Sequence, residues 1–170
     1  IVGNSLKINQ GCTNLTFTNT FCFIERSAPE EILRTACAFY VKAVKKFGLE
    51  NVILLNPFRN KGLLSVNEFN RQLQNLINPP TEEEESIKIR KLEFRPRDLV
   101  MQTKNTEIAM NGDIGVIHEI SKMPDPEDMN RWTYIASIEF NGDGKRHDYT
   151  PEMMQDLDLA YCTTVHKSQG

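Results

Sequence analysis

The chain has 170 residues, of which 39% are hydrophobic and 25% are charged, and its formal net charge is −3. That length accommodates one domain or slightly more, and the composition is that of a globular protein, which excludes disordered and collagen-like classes. No apolar run approaches the roughly 18 residues of a membrane-spanning helix. The small negative charge gives no overall attraction to nucleic acid, so any such binding must be local.

The ends of the chain and its cysteines indicate the setting of the protein. The four cysteines form no CxxC pair and the chain has three histidines, which predicts reduced, mostly buried thiols and no metal site. No signal peptide is visible, so we expect a cytoplasmic protein. Ile1 and Val2 are strand-like, and the chain stops at Gly170 directly after a patterned run. We therefore expect a piece of a longer protein.

The first long element predicted is a helix over 27–48. Ser27 can cap it, Pro29 suits its first turn and Gly48 suits its end. The residues at helical spacing that predict its apolar face are Ile32, Ala36, Phe39, Ala43 and Phe47. A continuous apolar run at 51–56 follows and is typical of a buried parallel strand, so this part is predicted to be α/β.

A second helix is predicted after Ser65, because Ser65 and Glu68 match a capping box. Its predicted apolar face consists of Phe69, Leu73, Leu76 and Ile77. Two prolines after Asn78 end it. The four glutamates at 82–85 are predicted to form a solvated linker.

The periodicity changes between residues 94 and 150, where the pattern predicts short antiparallel strands. The predicted strands are 99–103, 113–120 and 132–140, and 141–144 is predicted to be a hairpin turn. A small closed barrel is the predicted arrangement, because closure removes exposed sheet edges. The run 157–165 returns to a buried pattern, so the chain is predicted to be an α/β part interrupted by an inserted barrel.

The most distinctive stretch is 163–170, which places Thr164, His166, Lys167 and Ser168 on a loop that ends in Gly170. Hydroxyls, amide N–H groups and a lysine suit contacts to phosphate oxygens. A polar loop at the end of a strand is the alternative interpretation of the same residues.

The run Leu159-Ala-Tyr-Cys-Thr-Thr-Val-His-Lys-Ser-Gln-Gly resembles motif V of superfamily-1 helicases, in the form found in RecD-like helicases (exodeoxyribonuclease V alpha subunit and relatives). Three further stretches are similar to that family in order and spacing: 52–59 followed by Asn67, Gln74 and Asn78; 94–102 followed by Asn105; and 110–117. The family has Gly-Asp at the start of its inserted barrel, whereas this chain has Arg97-Asp98. We therefore expect the first barrel strand to start differently here.

The resemblance implies a fold class and a domain division. The fold would be α/β, a partial RecA-like (P-loop NTPase-type) motor domain with an inserted SH3-like β barrel. Residues 1–92 would form the first part of the motor domain, called 2A, and 93–150 the barrel, called 2B. Residues 151–170 would return to 2A with motif V.

The same resemblance implies an activity and its sites. The parent protein would be an ATP-dependent DNA helicase or translocase, moving 5′→3′ and acting in DNA recombination and repair. Phe58, Arg59 and Gly170 would lie at ATP, with Arg59 near the γ-phosphate. The alternatives are that Phe58 is an aromatic residue of the core and that Arg59 forms a surface salt bridge. The residues implied to contact single-stranded DNA are Thr164, His166, Lys167 and Ser168.

Cofactors and partners follow from the resemblance as well. The parent would bind ATP and Mg²⁺, but the 170 residues contain no GxxxxGK[ST] loop, no acidic magnesium motif and no motif VI arginine. We therefore expect no ATP hydrolysis by this chain alone and assign it no catalytic residue. The expected partners are single-stranded DNA, an N-terminal motor domain of the same chain and nuclease or helicase subunits, and no membrane.

Two residue groups and two rival functions stay open. The basic residues of 86–104 either attract a phosphate backbone or belong to a charged linker and strand edge: Lys88, Arg90, Lys91, Arg95, Arg97 and Lys104. Trp132, Tyr134 and Phe140 either stack on bases or pack in the core. The first alternative function is a Pif-like or conjugative relaxase helicase. The second is a non-enzymatic, SH3-like adaptor that binds peptides through its barrel.

Overall fold

The computed structural model describes residues 2–60, 62–125, 128 and 130–166. The helices are α1 (Val2–Asn9), α2 (Pro29–Phe47) and α3 (Val66–Ile77). The strands are β1 (Leu54–Asn56), β2 (Ile87–Ile89), β3 (Leu92–Phe94), β4 (Leu99–Gln102), β5 (Ile114–Pro124), β6 (Trp132–Phe140), β7 (Arg146–Tyr149), β8 (Leu157–Leu159) and β9 (Cys162–Thr164). No helix in the described part of the chain is long and apolar enough to cross a membrane.

Helix α2 begins and ends at the residues that favour those positions. Pro29 occupies its first turn, and Gly48 follows its end with a φ of 87°, a conformation that costs glycine little. The predicted cap at Ser27 is wrong, because Ala28 is the capping residue and makes no side-chain hydrogen bond there.

The apolar face predicted for α2 is displaced by one residue. Its buried side chains are Leu33, Cys37 and Tyr40, whereas Phe39 and Phe47 are 50% and 57% exposed. The helix carries apolar residues on more than one face, so spacing alone does not select the buried one. Packing against α3 and the hydrogen bond from the Tyr40 hydroxyl to the Val52 carbonyl oxygen, 3.3 Å long, determine it.

Strands β1 and β9 form a parallel pair. The parallel direction predicted for the first strand is therefore confirmed, but its predicted burial is wrong, because Ile53 and Leu55 are 48% and 45% exposed. In the described part of the chain the pair consists of these two strands, so β1 has a neighbour on one side rather than on both. In α3, Phe69 and Leu73 are buried as predicted, whereas Leu76 is 56% exposed.

The remaining long strands form an antiparallel sheet. Within the described residues its order is β7-β6-β5-β4-β8, and β5 and β6 form its long central hairpin. The predicted turn at 141–144 is confirmed, with positive φ at Asn141 and Gly142. The closed barrel is not confirmed, because no pairing joins β7 to β8 in the part of the chain that the structure describes. Strand β8, which the predicted division places in 2A, pairs with β4, and the division itself stays a prediction.

Two elements differ from expectation or were missed. Val2 begins helix α1 and is not part of a strand, because so short an apolar run does not distinguish the two structures. Strands β2 and β3 form a hairpin that was not predicted, because the segment is rich in charged residues. Arg90 adopts a φ of 56° in the turn of this hairpin.

One continuous core joins α3, the hairpin and the antiparallel sheet. Its most deeply buried members are Leu73, Phe94, Val100, Ile117, Ile138, Tyr149, Met154, Leu157 and Tyr161. The helix that precedes the sheet in sequence is therefore part of the same packing unit as the sheet.

Candidate functional site

The two predicted functional loops leave the same edge of the parallel pair. Asn56 at the end of β1 is the register partner of Thr164 at the end of β9, and the Val165 amide donates to the Asn56 carbonyl oxygen at 3.4 Å. The carboxyl ends of parallel strands meet at one edge of a sheet. Phe58 and Arg59 therefore leave the sheet beside Thr164 and His166.

The loop after β1 is fixed by the buried side chain of Asn56. Its Nδ2 atom donates to the Leu64 carbonyl oxygen at 2.8 Å, and its Oδ1 atom accepts from the Phe58 amide at 3.1 Å. The Phe58 carbonyl oxygen accepts from the Val66 amide at 2.9 Å. The backbone of Phe58 is thus held between β1 and α3, while the residue as a whole is 44% exposed.

The first turn of α3 closes this loop from the other side. The Ser65 hydroxyl oxygen accepts from the Glu68 amide at 3.2 Å, which confirms the predicted cap. The carboxylate of Glu68 binds Arg71 and Gln72, and these hydrogen bonds lower its pKa. The helix start behind the loop is therefore well ordered by its own side chains.

Arg59 forms an ion pair with a carboxylate that sequence reasoning missed. Its guanidinium group lies 3.0 Å from the Asp158 Oδ2 atom, and Arg90 approaches the other carboxylate oxygen at 3.8 Å. The Arg59 side chain is 54% exposed, and exposed pairs of this kind contribute about 0–1 kcal/mol. The free energy lost when Arg59 leaves Asp158 to bind another anion is consequently small.

The backbone before the loop that follows β9 is held by Asn70 of α3. Its Nδ2 atom donates to the carbonyl oxygens of Leu159 and Cys162 at 2.9 and 3.0 Å, and its Oδ1 atom accepts from the Cys162 amide at 2.7 Å. The side chain is buried. A polar residue at a core position of a helix is the one sequence signal that could have identified it.

The structure brings together four of the seven predicted site residues. Phe58, Arg59, Thr164 and His166 lie at the edge just described, and a cavity of about 20 Å³, large enough for one water molecule, separates Arg59 from Thr164. Thr164 is half-buried and His166 is exposed. The other three predicted residues, Lys167, Ser168 and Gly170, lie outside the described residues.

The basic cluster predicted at 86–104 is largely neutralised. Arg95 is buried against Glu93 at 2.9 Å, Arg97 pairs with Glu84, and Lys104 lies 2.7 Å from Asp156. The pairing of Glu84 also shows that part of the acidic run at 82–85 contacts the folded chain, contrary to the predicted linker. The cluster therefore offers no continuous positive strip.

Asp98 is the centre of a buried polar network. Its carboxylate accepts hydrogen bonds from the Gln74 and Asn78 side-chain amides, the Arg95 backbone amide and the Tyr161 hydroxyl, at 2.6–2.8 Å. Burial raises the pKa of Asp98, and the four donors oppose that rise. Gln74 and Asn78 belong to the sequence pattern on which the resemblance rests, so this pattern has a structural role here.

The turn before β4 forms although its expected glycine is missing. Arg97 adopts a φ of 70°, and the Arg97 amide donates to the Ile117 carbonyl oxygen at 2.6 Å. The left-handed turn that the family makes with glycine can thus be formed by an arginine, and the expectation that the strand starts differently stays a prediction. The arginine tolerates the positive φ because Asp98 and Glu84 hold the backbone and the side chain on either side.

Metal binding finds no support in the described residues. No three His, Cys, Asp or Glu side chains within them lie close enough together to hold an ion. His118 instead contacts the Glu139 carboxylate at 3.0 Å.

Comparisons with known proteins support the resemblance seen in the sequence. The family described as the SH3 domain of ATP-dependent RecD-like DNA helicases matches residues 69–132. The ATP-dependent RecD2 DNA helicase of Deinococcus radiodurans is 34% identical over 122 residues, which are 70% of this chain and 14% of that protein. The chain thus spans about a seventh of the length of that relative. The resemblance of this chain to the RecD-like helicases is confirmed, and it includes the SH3 domain of that family.

Proposed function

We propose that this chain supplies a single-stranded DNA contact and one wall of an ATP cleft to a RecD-like, ATP-dependent DNA helicase. The observation that carries the proposal is the meeting of two loops at the carboxyl edge of β1 and β9, because ligands of α/β sheets bind outside that edge. In this proposal the parallel pair belongs to a RecA-like domain, 2A, and the antiparallel sheet is the SH3-like barrel, 2B. The parent moves 5′→3′ along DNA during recombination and repair.

The DNA contact is made by the loop after β9. Thr164 and His166, with Lys167 and Ser168 beyond them, offer hydroxyl, imidazole and ammonium groups to the phosphate backbone. The exposed position of His166 suits contact with a strand that passes across the edge. Asn70 fixes the start of this loop through the backbone of Cys162.

The nucleotide contact is made by the loop after β1. The ring of the exposed residue Phe58 can stack on adenine, and Arg59 can leave Asp158 to stabilise the negative charge of a γ-phosphate. Gly170 allows close approach of the backbone. ATP and Mg²⁺ are bound by the parent, whose N-terminal motor domain closes against this wall, and the chain alone does not hydrolyse ATP.

The proposal is tested by the binding of a fluorescein-labelled oligothymidylate to the chain at low salt, followed by fluorescence anisotropy. We expect weak binding that falls as salt rises, because phosphate contacts release counterions. Thr164→Ala and His166→Ala should each weaken it about tenfold, as expected for loss of a hydrogen bond to a charged group. His147→Ala, which removes the same side-chain type from β7, is the matched control. Equal affinities of the His166→Ala and His147→Ala proteins would overturn the proposal.

A further inference from the structure

An open groove lies where the β2–β3 hairpin meets the start of β6. Its walls are 86–89 of the hairpin, 132–134 of β6 and Pro151, and they border an open space of about 440 Å³. Trp132, the largest side chain of this wall, is 61% exposed. Tyr134 beside it is half-buried, whereas Phe140, at the other end of the strand, is buried against Tyr149. Of the three aromatic residues singled out in the sequence, Trp132 is thus the one that faces solvent most.

One lysine lines this groove, and a second lies beside its tryptophan. The Lys122 Nζ atom lies 5.8 Å from the centre of the Trp132 ring, and Lys88 is exposed on the opposite wall. The carboxylate within the hairpin, Glu93, is bound by Arg95 and by the Ser86 hydroxyl. Among the described residues, no carboxylate lines the groove. The surface therefore combines an exposed ring with two lysines, of which Lys88 lies opposite Glu93 across the hairpin.

We propose that this groove binds single-stranded nucleic acid, with a base stacked on Trp132 and the adjacent phosphates held by Lys88 and Lys122. Sites for single strands combine these two elements, because every base has a face that can stack and every nucleotide carries a phosphate. The contact is made by the SH3-like part of the chain. It goes beyond the proposed function, since it uses none of the residues at the edge of β1 and β9.

The charge of the groove favours single-stranded nucleic acid over a proline-rich peptide as its ligand. Proline-rich segments dock between several aromatic rings, whereas one strongly exposed ring is present among the described lining residues. A peptide of that kind also lacks the negative charge that would complement two lysines. A phosphate backbone supplies both the charge and, through its bases, the flat surfaces that match the ring.

The single tryptophan of the chain makes the site directly observable. We would titrate the whole chain with unlabelled oligothymidylate at low salt and follow tryptophan fluorescence, which stacking quenches. Saturable quenching is expected, with a midpoint that rises with salt. Lys88→Ala and Lys122→Ala should each raise the midpoint at least threefold, and Lys45→Ala, which removes an exposed lysine from α2, should leave it unchanged.

Three results would overturn the proposal. The first is an absence of quenching at oligonucleotide concentrations that saturate the anisotropy of the labelled strand. The second is a midpoint that the Lys88→Ala and Lys122→Ala changes leave unaltered. The third is quenching by a proline-rich peptide in place of the oligonucleotide.

A further pair of variants separates this site from the one at β9. The His166→Ala protein should keep the tryptophan quenching, even though its total affinity for DNA is lower, and loss of quenching in that protein would overturn the proposal. Trp132→Phe should retain most of the anisotropy-detected binding because phenylalanine still stacks, whereas Trp132→Ala should weaken it. Equal binding by these two variants would show that the ring does not stack on a base.

Discussion

The Tyr161 hydroxyl donates a hydrogen bond of 2.7 Å to the Asp98 Oδ1 atom, and both side chains are buried. Tyr161 lies between β8 and β9, and Asp98 immediately precedes β4. Gln74 and Asn78 of the α3 segment bind the same carboxylate. One side chain thus joins the antiparallel sheet, the parallel pair and the helix, which are the three parts that position the candidate site.

Removal of this carboxylate should destabilise the protein far more than removal of one of its donors. Asp98→Ala leaves the Tyr161 hydroxyl and the Arg95 amide without this acceptor, whereas the Gln74 and Asn78 amides keep their bonds to the Glu93 and Pro96 carbonyl oxygens. We expect a loss of about 3–5 kcal/mol in the free energy of unfolding, because a buried acceptor shared by four groups is removed. Tyr161→Phe removes one donor and leaves three, so about 1 kcal/mol is expected. Urea unfolding followed by circular dichroism measures both. Similar losses in the two variants would show that the network is not centred on Asp98.

The positive φ of Arg97 predicts an unusual order of stability among its substitutions. Arg97→Gly relieves the strain of the left-handed conformation, about 1–2 kcal/mol for a non-glycine residue, but loses the ion pair with Glu84. Arg97→Ala loses the same ion pair and keeps the strain. We therefore expect the glycine variant to be more stable than the alanine variant by about 1 kcal/mol in urea unfolding. An alanine variant as stable as the glycine variant would show that the turn is unstrained.

Local sequence signals were sufficient for the elements that depend on neighbouring residues. Ser65 caps α3 and Pro29 begins α2 because these side chains act on the backbone within one turn. Asn141 and Gly142 form the predicted hairpin turn for the same reason, since the positive φ is a property of those residues themselves. Alternation likewise identified the long strands β5 and β6.

Features that depend on distant residues could not be predicted in this way. The buried face of α2, and the roles of Asn70 and Asp98, are determined by partners 12 to 92 positions away in the chain. The meeting of Arg59 with Thr164 depends on which strands pair, and residue spacing carries no information about that. The resemblance to a known family assigned Arg59 to the nucleotide and Thr164 to single-stranded DNA, and it is the pairing of β1 with β9 that brings the two residues to one edge.

The cysteines should divide into two classes by reactivity. Cys12 and Cys22 are exposed, whereas Cys37 and Cys162 are buried. Burial raises the pKa of Cys162 to about 12 and also raises the pKa of Cys37, so their reactive thiolate forms are scarce at pH 8. Alkylation with iodoacetamide and peptide mass spectrometry should therefore label the first two in the folded protein.

Labelling of the buried pair should follow unfolding. In a Cys12→Ser/Cys22→Ser variant we expect alkylation at pH 8 to rise with urea along the same curve as circular dichroism. Because Cys162 lies in β9, its protection also reports on the strand that carries Thr164. Fast labelling of Cys162 in the absence of urea would mean that β9 opens independently of the rest of the fold.

Asn70 should link the stability of the fold to DNA binding at the edge of β1 and β9. Asn70→Ala leaves the Cys162 amide and two buried carbonyl oxygens without their partner, so a loss of about 2–3 kcal/mol in unfolding free energy is expected. Asn70→Asp keeps the acceptor for the Cys162 amide but loses both donated bonds and places a carboxylate beside the carbonyl oxygens. It should therefore be at least as damaging as the alanine variant.

The readout that distinguishes positioning from simple destabilisation is DNA affinity under conditions where the variant stays folded. Because Asn70 holds the backbone at Cys162, its loss should weaken oligothymidylate binding severalfold at a temperature where circular dichroism shows full folding. Ser65→Ala provides the control, since it costs about 1 kcal/mol at the start of the same helix without touching β9. If the Asn70→Ala and Ser65→Ala proteins bind DNA equally well, Asn70 supports the fold alone, and the geometry of the loop after β9 does not depend on it.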